Sequence, residues 1–179
     1  RVVIVGGGLG GLDLAFKLVD GDYQVVLVDK NNYHQFPPLI YQVASGGLEP
    51  SSISFPFRRL FQGHKDIFFR MAEVESVDTA KKTVLTTVGE IEYDYLVIAA
   101  GATTNFFGNK DIQATTLPMK SVSEDMRLRN TILRNLEKAL TEEDPTRKQA
   151  LMNIVVVGGG ASGVEIAGAV AEMKKNIIA

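Results

Sequence analysis

The 179 residues are 45% apolar, enough for a sizeable core. Their formal net charge of −2, with basic residues scattered rather than striped, excludes the footprint of a nucleic-acid binder. With no cysteine and two histidines, no disulfide or thiolate metal site can form in this sequence and no metal centre is expected; nor does a run of about 18 apolar residues mark a membrane span.

The chain opens on Val2-Val3-Ile4-Val5, an apolar run suited to a strand buried on both faces. Gly6-Gly7-Gly8-Leu9-Gly10-Gly11 follows, and Leu12, Ala15, Phe16 and Val19 then share one helical face. In a G-x-G-x-x-G turn one glycine permits the tight bend, one the approach of a pyrophosphate, and one close helix–strand packing. Gly6, Gly8 and Gly11 fill these roles, and the diphosphate rests on N–H groups at the positive helix end. A turn at Asp20-Gly21-Asp22 leads into a second buried strand, Gln24 to Val28, ending in Asp29. Asp29 comes 18 residues after Gly11, near the spacing of about 20 at which this fingerprint places an acid on a ribose hydroxyl. Its carboxylate repels a 2′-phosphate, so the first nucleotide is expected to be FAD or NAD rather than NADP.

Residues 31–64 mix prolines and aromatics without a clean period, predicting an irregular excursion with a short helix near Ile53 to Phe61. Long irregular segments in compact domains are usually functional or disordered, and the aromatic content favours an ordered site. Ile67 to Val77, Thr83 to Thr87 and Glu90 to Glu92, separated by turns, predict an antiparallel meander over about 67–92. Tyr95 to Ala99 reads as another buried parallel strand, delivering Ala100-Gly101 to the carboxyl end of the sheet, where open α/β folds bind ligands. A helix is predicted from Ser121 to about Glu142, with Ser123-Glu124-Asp125 at its start and Met126, Ile132, Leu133, Leu136 and Leu140 apolar. The opening pattern then returns: Ile154-Val155-Val156-Val157 predicts a strand, and Gly158-Gly159-Gly160-Ala161-Ser162-Gly163 repeats the turn 152 positions after the first. Val164, Ala167 and Val170 share the face of the helix that follows. Two phosphate cradles imply two dinucleotides. Because the chain starts directly before a strand and stops about one helix into the second unit, it is expected to be the N-terminal piece of a longer enzyme.

The order of these motifs joins two more specific stretches, Tyr33-His34-Gln35-Phe36-Pro37-Pro38-Leu39-Ile40-Tyr41-Gln42-Val43-Ala44-Ser45-Gly46 and the run from Tyr93 to Gly108. Together with Gly158 to Glu165 they closely resemble the type II NADH dehydrogenases, single-chain FAD-containing NADH:quinone oxidoreductases of the two-dinucleotide-binding flavoproteins. The resemblance spans essentially the whole chain. Ala100 stands where threonine is common and Ala161 where proline is common; neither changes the backbone chemistry much.

The resemblance implies an α/β architecture: a Rossmann-like FAD-binding fold over 1–115 with a meander insertion, then a connecting helix and the start of a second Rossmann-like fold for NAD(H) over 116–179. It implies that Gly6, Gly8, Gly10, Gly11, Asp29 and Lys30 hold the adenine half of FAD. Pro37, Tyr41, Gln42, Ala100 and Gly101 would lie near the isoalloxazine, and Gly158, Gly160, Ser162 and Gly163 would receive the NADH pyrophosphate. Glu165 would act near the nicotinamide in NADH or quinone handling; in the first helical turn it would equally suit the helix dipole. Tyr41 and Gln42 also suit loop packing, and His34 a structural hydrogen bond. The implied partners are a quinone, a membrane surface met peripherally through a later C-terminal segment, on the cytoplasmic side of the plasma membrane, and a second copy of the chain. Two rivals stay open: a flavin reductase serving a small iron–sulfur protein, and a non-catalytic nucleotide-binding module. Disulfide and sulfide:quinone reductases need a cysteine pair that this sequence lacks.

Overall fold

A computed structural model describes residues 1–19 and 21–177. Asp20 of the first expected turn, and the final Ile178 and Ala179, lie outside the described residues. In chain order the elements are β1 (Val2–Val5), α1 (Leu9–Lys17), β2 (Val25–Asp29), β3 (Tyr33–Gln35), α2 (Ile40–Ala44), β4 (Ser54–Pro56), α3 (Phe57–Leu60), β5 (Ile67–Met71), β6 (Val74–Asp78), β7 (Thr83–Thr86), β8 (Gly89–Glu92), β9 (Tyr95–Ile98), α4 (Lys110–Thr115), α5 (Val122–Thr141), α6 (Pro145–Met152) and α7 (Ala161–Ile177). They fall into two units, Arg1–Phe36 with Ser54–Ala102, and Pro37–Ile53 with Thr103–Ala179.

The first unit is built on a parallel sheet in the order β5-β2-β1-β9. Its central strands are runs of valine, isoleucine and leucine because both faces are covered. On one face Val2, Ile4, Val25 and Leu27 pack with Ala15 of α1 and with Phe57, Phe61 and Phe69. On the other, Val3, Val26 and Val28 meet Ala72, Val84 and, at the edge, Ile91. Each fully buried side chain of this size contributes about 1.5–3 kcal/mol. This is the expected α/β class, with β6, β7 and β8 forming an antiparallel meander beside the parallel sheet.

Two expectations for this unit change. The stretch read as one long meander strand is two: β5 leaves the meander and pairs in parallel with β2, Ile67 opposite Val25 and Phe69 opposite Leu27. Alternation of apolar residues reports burial but not which strand lies alongside. Within 31–64, Ser54–Pro56 is not the start of a helix but a strand, antiparallel to Tyr33–Gln35; the same stretch also holds α2, which belongs to the second unit.

The second unit is helical among the described residues. α5 starts with a capping box in which Ser121 accepts from the Glu124 N–H and Glu124 reaches back to the Ser121 N–H, so the cap falls at Ser121, where the helix was expected to begin. Its buried positions are Val122, Asp125, Ile132 and Ala139, while Leu140 is exposed. Pro145 does more than end α5: it is the first residue of α6, behind the Asp144 cap. α2 packs against both α5 and α7. Among the described side chains of α7, Ile166 and Met173 are buried and Val164 is exposed, so the inward face is rotated from the one expected. Ile154–Val157 forms no strand: its four side chains are exposed. A strand exists through a neighbour that takes up its N–H and C=O groups, and the described residues of this unit contain no other strand to supply one.

Candidate functional site

β1 is flanked by β2 on one side and β9 on the other, so the chain reverses its direction of travel across the sheet at β1. The crevice outside the carboxyl ends at such a switch point is where open α/β sheets bind ligands. Gly6 follows β1, Asp29 ends β2, and Ala100 and Gly101 follow β9. These first-unit residues therefore share one sheet edge.

The turn itself is over-determined. Gly6 has φ +102°, and a Cβ there would strike the carbonyl oxygen of Ala99; one on Gly11 would strike the carbonyl of Gly6. Gly7 is held on both sides of its peptide: its N–H donates to Asp29 Oδ2 at 2.7 Å, and its carbonyl accepts from His34 Nδ1 at 2.9 Å. That bond places a proton on Nδ1 of His34, which is buried. The ring of Phe57 closes the remaining side of Gly7. Asp29 Oδ1 accepts from the Asn31 N–H at 2.8 Å, which leaves about two of the roughly four acceptor positions of a carboxylate.

Gly8 and Gly10, by contrast, face open space: a Cβ on either would meet no atom within 4 Å. Gly8 is the N-cap of α1 without a side-chain acceptor, and the first turn carries no acid. α5 and α6 satisfy their starts with Ser121, Glu124 and Asp144. The start of α1 thus presents unpaired N–H groups and the positive helix end to a glycine-lined opening, which fits a diphosphate. Lys30 is exposed beside it, and Gly101 adopts φ +70° with open space around it.

The second turn repeats the internal contacts of the first. Gly158 has φ +114°, a Cβ on Gly163 would strike the Gly158 carbonyl, and Gly159 and Gly160 are open. The Val164 N–H donates to the Gly160 carbonyl at 3.1 Å, as the Leu12 N–H does to Gly8 at 2.9 Å. Ser162 is exposed in the opening turn of α7. Glu165 is the fifth residue of α7. It lies beyond the first turn, where the helix-dipole effect is already falling off, so helix capping does not account for it.

Within the second unit, α2, the turn after it and α7 enclose a groove of about 520 Å³ lined by Tyr41, Gln42, Ser45, Glu165, Glu172 and Met173 among others. Gln42 Nε2 donates to the Tyr41 hydroxyl at 3.1 Å, which leaves that hydroxyl its own hydrogen to donate. Gly47 and Leu48 both donate their N–H groups to the Gln42 carbonyl, and Gly46 turns the chain at φ +78°. Pro37 stands exposed in the short 3-10 turn leading into α2. A depression of similar size between α5 and α6, containing Lys138 and Arg147, holds none of the motif residues. Among the described residues no group of three metal-ligating side chains occurs, and no helix is long and apolar enough to cross a membrane.

Sequence reasoning missed Phe57 and Glu172, and gave His34 a structural hydrogen bond without naming its partner, Gly7. His34 and Phe57 reach Gly7 from 27 and 50 positions away, and nothing local announces that contact. Glu172 was legible, since it follows Glu165 by seven residues and so shares its helical face.

The pyridine nucleotide-disulphide oxidoreductase model matches residues 1–179. The chain belongs to the pyridine nucleotide-disulphide oxidoreductase family. Within it, the chain is 35% identical to the type II NADH:quinone oxidoreductase Ndh of Mycobacterium tuberculosis, over 99% of this chain and 39% of that protein. It is 33% identical to the mitochondrial external alternative NAD(P)H-ubiquinone oxidoreductase B2 of Arabidopsis thaliana, over 93% of this chain and 31% of that one. The solved structure of NDH2 from Plasmodium falciparum in complex with NADH superposes with a TM-score of 0.90 at 26% identity, covering 99% of this chain and 38% of that chain. The chain thus spans between about a third and two fifths of the length of these relatives. Despite the family's name, this member carries no cysteine in its 179 residues.

Proposed function

We propose that this chain is the FAD-binding part, and the beginning of the NADH-binding part, of an NADH:quinone oxidoreductase, with residues 1–115 serving FAD and 116–179 opening the NAD(H) fold. The observation that carries this reading is the pair of glycine turns with the same internal contacts, Gly6 to Gly11 and Gly158 to Gly163. The NADH and quinone named for the relatives supply the substrate classes.

Gly6, Gly8, Gly10 and Gly11 seat the FAD diphosphate on the α1 N–H groups. Asp29 has acceptor positions left for the ribose hydroxyls, and Lys30 adds positive charge nearby. Ala100 and Gly101 pass close to the flavin in the first unit; in the second, Tyr41 is able to donate a hydrogen bond into its own groove. Gly158, Gly160, Ser162 and Gly163 seat the NADH diphosphate, and Glu165 holds or moves a proton in the groove. Bound FAD supplies the two-electron chemistry that none of these side chains has. The protein's part is alignment and exclusion of water. That no described helix spans a bilayer supports a peripheral protein; we place it on the cytoplasmic face of the membrane, as a homodimer.

Anaerobic titration of the full-length protein with NADH tests this. The flavin absorbance bleaches and returns when a quinone is added. A flavin that stays oxidised removes the dehydrogenase reading; one that bleaches but is reoxidised only by a small iron–sulfur protein changes the acceptor.

A further inference from the structure

His34 is buried, and its Nδ1 donates to the carbonyl of Gly7 at 2.9 Å. Strand pairing and packing place the ring: His34 lies opposite Phe55 in the β3–β4 pair, and Phe57, the first residue of α3, meets it edge-on with 6.5 Å between centroids. All peptide bonds among the described residues are trans. In a trans peptide the carbonyl of one residue and the N–H of the next share a plane and point in opposite directions. Drawing the Gly7 carbonyl inward onto His34 therefore turns the Gly8 N–H outward. Burial agrees, since Gly7 is buried and Gly8 exposed. The Gly8 N–H makes no hydrogen bond among the described residues, and a Cβ on Gly8 would meet no atom within 4 Å. Asp29 fixes the preceding peptide in the same way: it accepts from the Gly7 N–H at 2.7 Å and so sends the Gly6 carbonyl under α1, where a Cβ on Gly11 would strike it. Of the two peptides so fixed, only the one set by His34 presents a donor to the opening. At the second turn Gly159, the counterpart of Gly7, is exposed, and no side chain bonds its peptide among the described residues.

We infer that His34 is a positioning residue for FAD: by locking the Gly7–Gly8 peptide it aims the Gly8 N–H at the diphosphate before the nucleotide arrives. This rests on the FAD reading above and not on the electron acceptor. Glycine gives up more backbone freedom on ordering than any other residue, so a peptide between two glycines that is already fixed spares the nucleotide that ordering when it binds. The bond it offers is charge-assisted, and therefore stronger than one between neutral groups. His34 itself does not touch the nucleotide.

The test uses the full-length flavoprotein. Asparagine carries an amide nitrogen where histidine has Nδ1, and leucine carries a methyl group there, so the two variants differ mainly in whether a donor reaches Gly7. In wild type grown with isotope-labelled glycine, a nitrogen–phosphorus coupling across the hydrogen bond is expected between the Gly8 N–H and the bound diphosphate. His34→Leu is expected to lose that coupling, to shift a phosphorus resonance of FAD and to raise the FAD dissociation constant about tenfold, read from the fluorescence of released flavin. His34→Asn keeps the coupling and holds FAD within about threefold of wild type. Bound FAD without a Gly8 coupling in wild type overturns the role of His34, leaves the FAD reading standing, and needs no variant to fold. FAD held by His34→Leu as tightly as by wild type overturns it too. So does His34→Asn releasing FAD as readily as His34→Leu, since that marks packing alone. A wild-type protein that takes up no FAD removes both.

Discussion

The two glycine turns have similar positive φ at their first glycine, +102° and +114°, the equivalent carbonyl beneath their last, and the equivalent hydrogen bond into the helix. Their surroundings differ completely. The first is buttressed by Ala99, Asp29, His34 and Phe57 at the edge of a four-stranded sheet. Gly158 has no atom within 4 Å of where a side chain would begin, and the strand expected before it does not form. The motif is therefore a local device, written by six residues. How rigidly it is held comes from its neighbours.

The sharpest way to break this comparison is the same substitution in both turns. Gly6→Ala adds left-handed strain and a collision with a backbone carbonyl, together about 3 kcal/mol or more. Gly158→Ala adds the strain alone, of order 1–2 kcal/mol. Thermal unfolding and bound-flavin content of the full-length variants are expected to show Gly6→Ala losing FAD and Gly158→Ala keeping it with a raised KM for NADH. Equal losses in both would mean the second turn is buttressed as firmly as the first.

The units also differ in how they bury a titratable side chain. His34 in the first is bonded to Gly7, whereas neither oxygen of Asp125 in the second finds a hydrogen-bond donor. Burial, and then the neighbouring Glu124, push the Asp125 carboxyl up to about 7. An unfolded aspartate titrates near 3.9. With the folded value raised, the stability linked to this group is whole below about pH 4, is lost as pH rises, and levels off above about pH 7. Asp125→Asn is accordingly expected to stabilise the protein by about 2 kcal/mol near pH 8 and not at all near pH 3, read from melting temperatures at the two values. A uniform loss at both would show that Asp125 has a donor.

The smallest expected effect tests the buttress itself. In Asp29→Asn the amide oxygen keeps one of the two backbone N–H bonds and turns an NH₂ toward the other, costing about 1 kcal/mol. The FAD dissociation constant rises with it, while NADH binding at the second turn is unchanged.

Much of the first unit was legible because its strands are continuous β-branched runs and its turn must be glycine. Val2–Val5, Val25–Asp29 and Tyr95–Ile98 fall where periodicity places them. β5 was not, since an apolar run looks the same beside β2 or beside β6. α2 hid among prolines and aromatics, and α7 turned a different face inward because Ile166 and Met173, not Val164, meet its neighbours.

What the residues alone determined is local: where the backbone needs φ above zero, where a side chain cannot fit, and that two like glycine turns lie 152 positions apart. Tertiary structure decided everything that depends on a partner distant in sequence. It chose which strand β5 joins, that His34 and Phe57 clamp Gly7, that Glu172 shares a groove with Glu165 and Tyr41, and that Ile154–Val157 stays unpaired. Strand pairing and groove formation are bonds between segments, and a residue's own chemistry names its needs without naming who meets them.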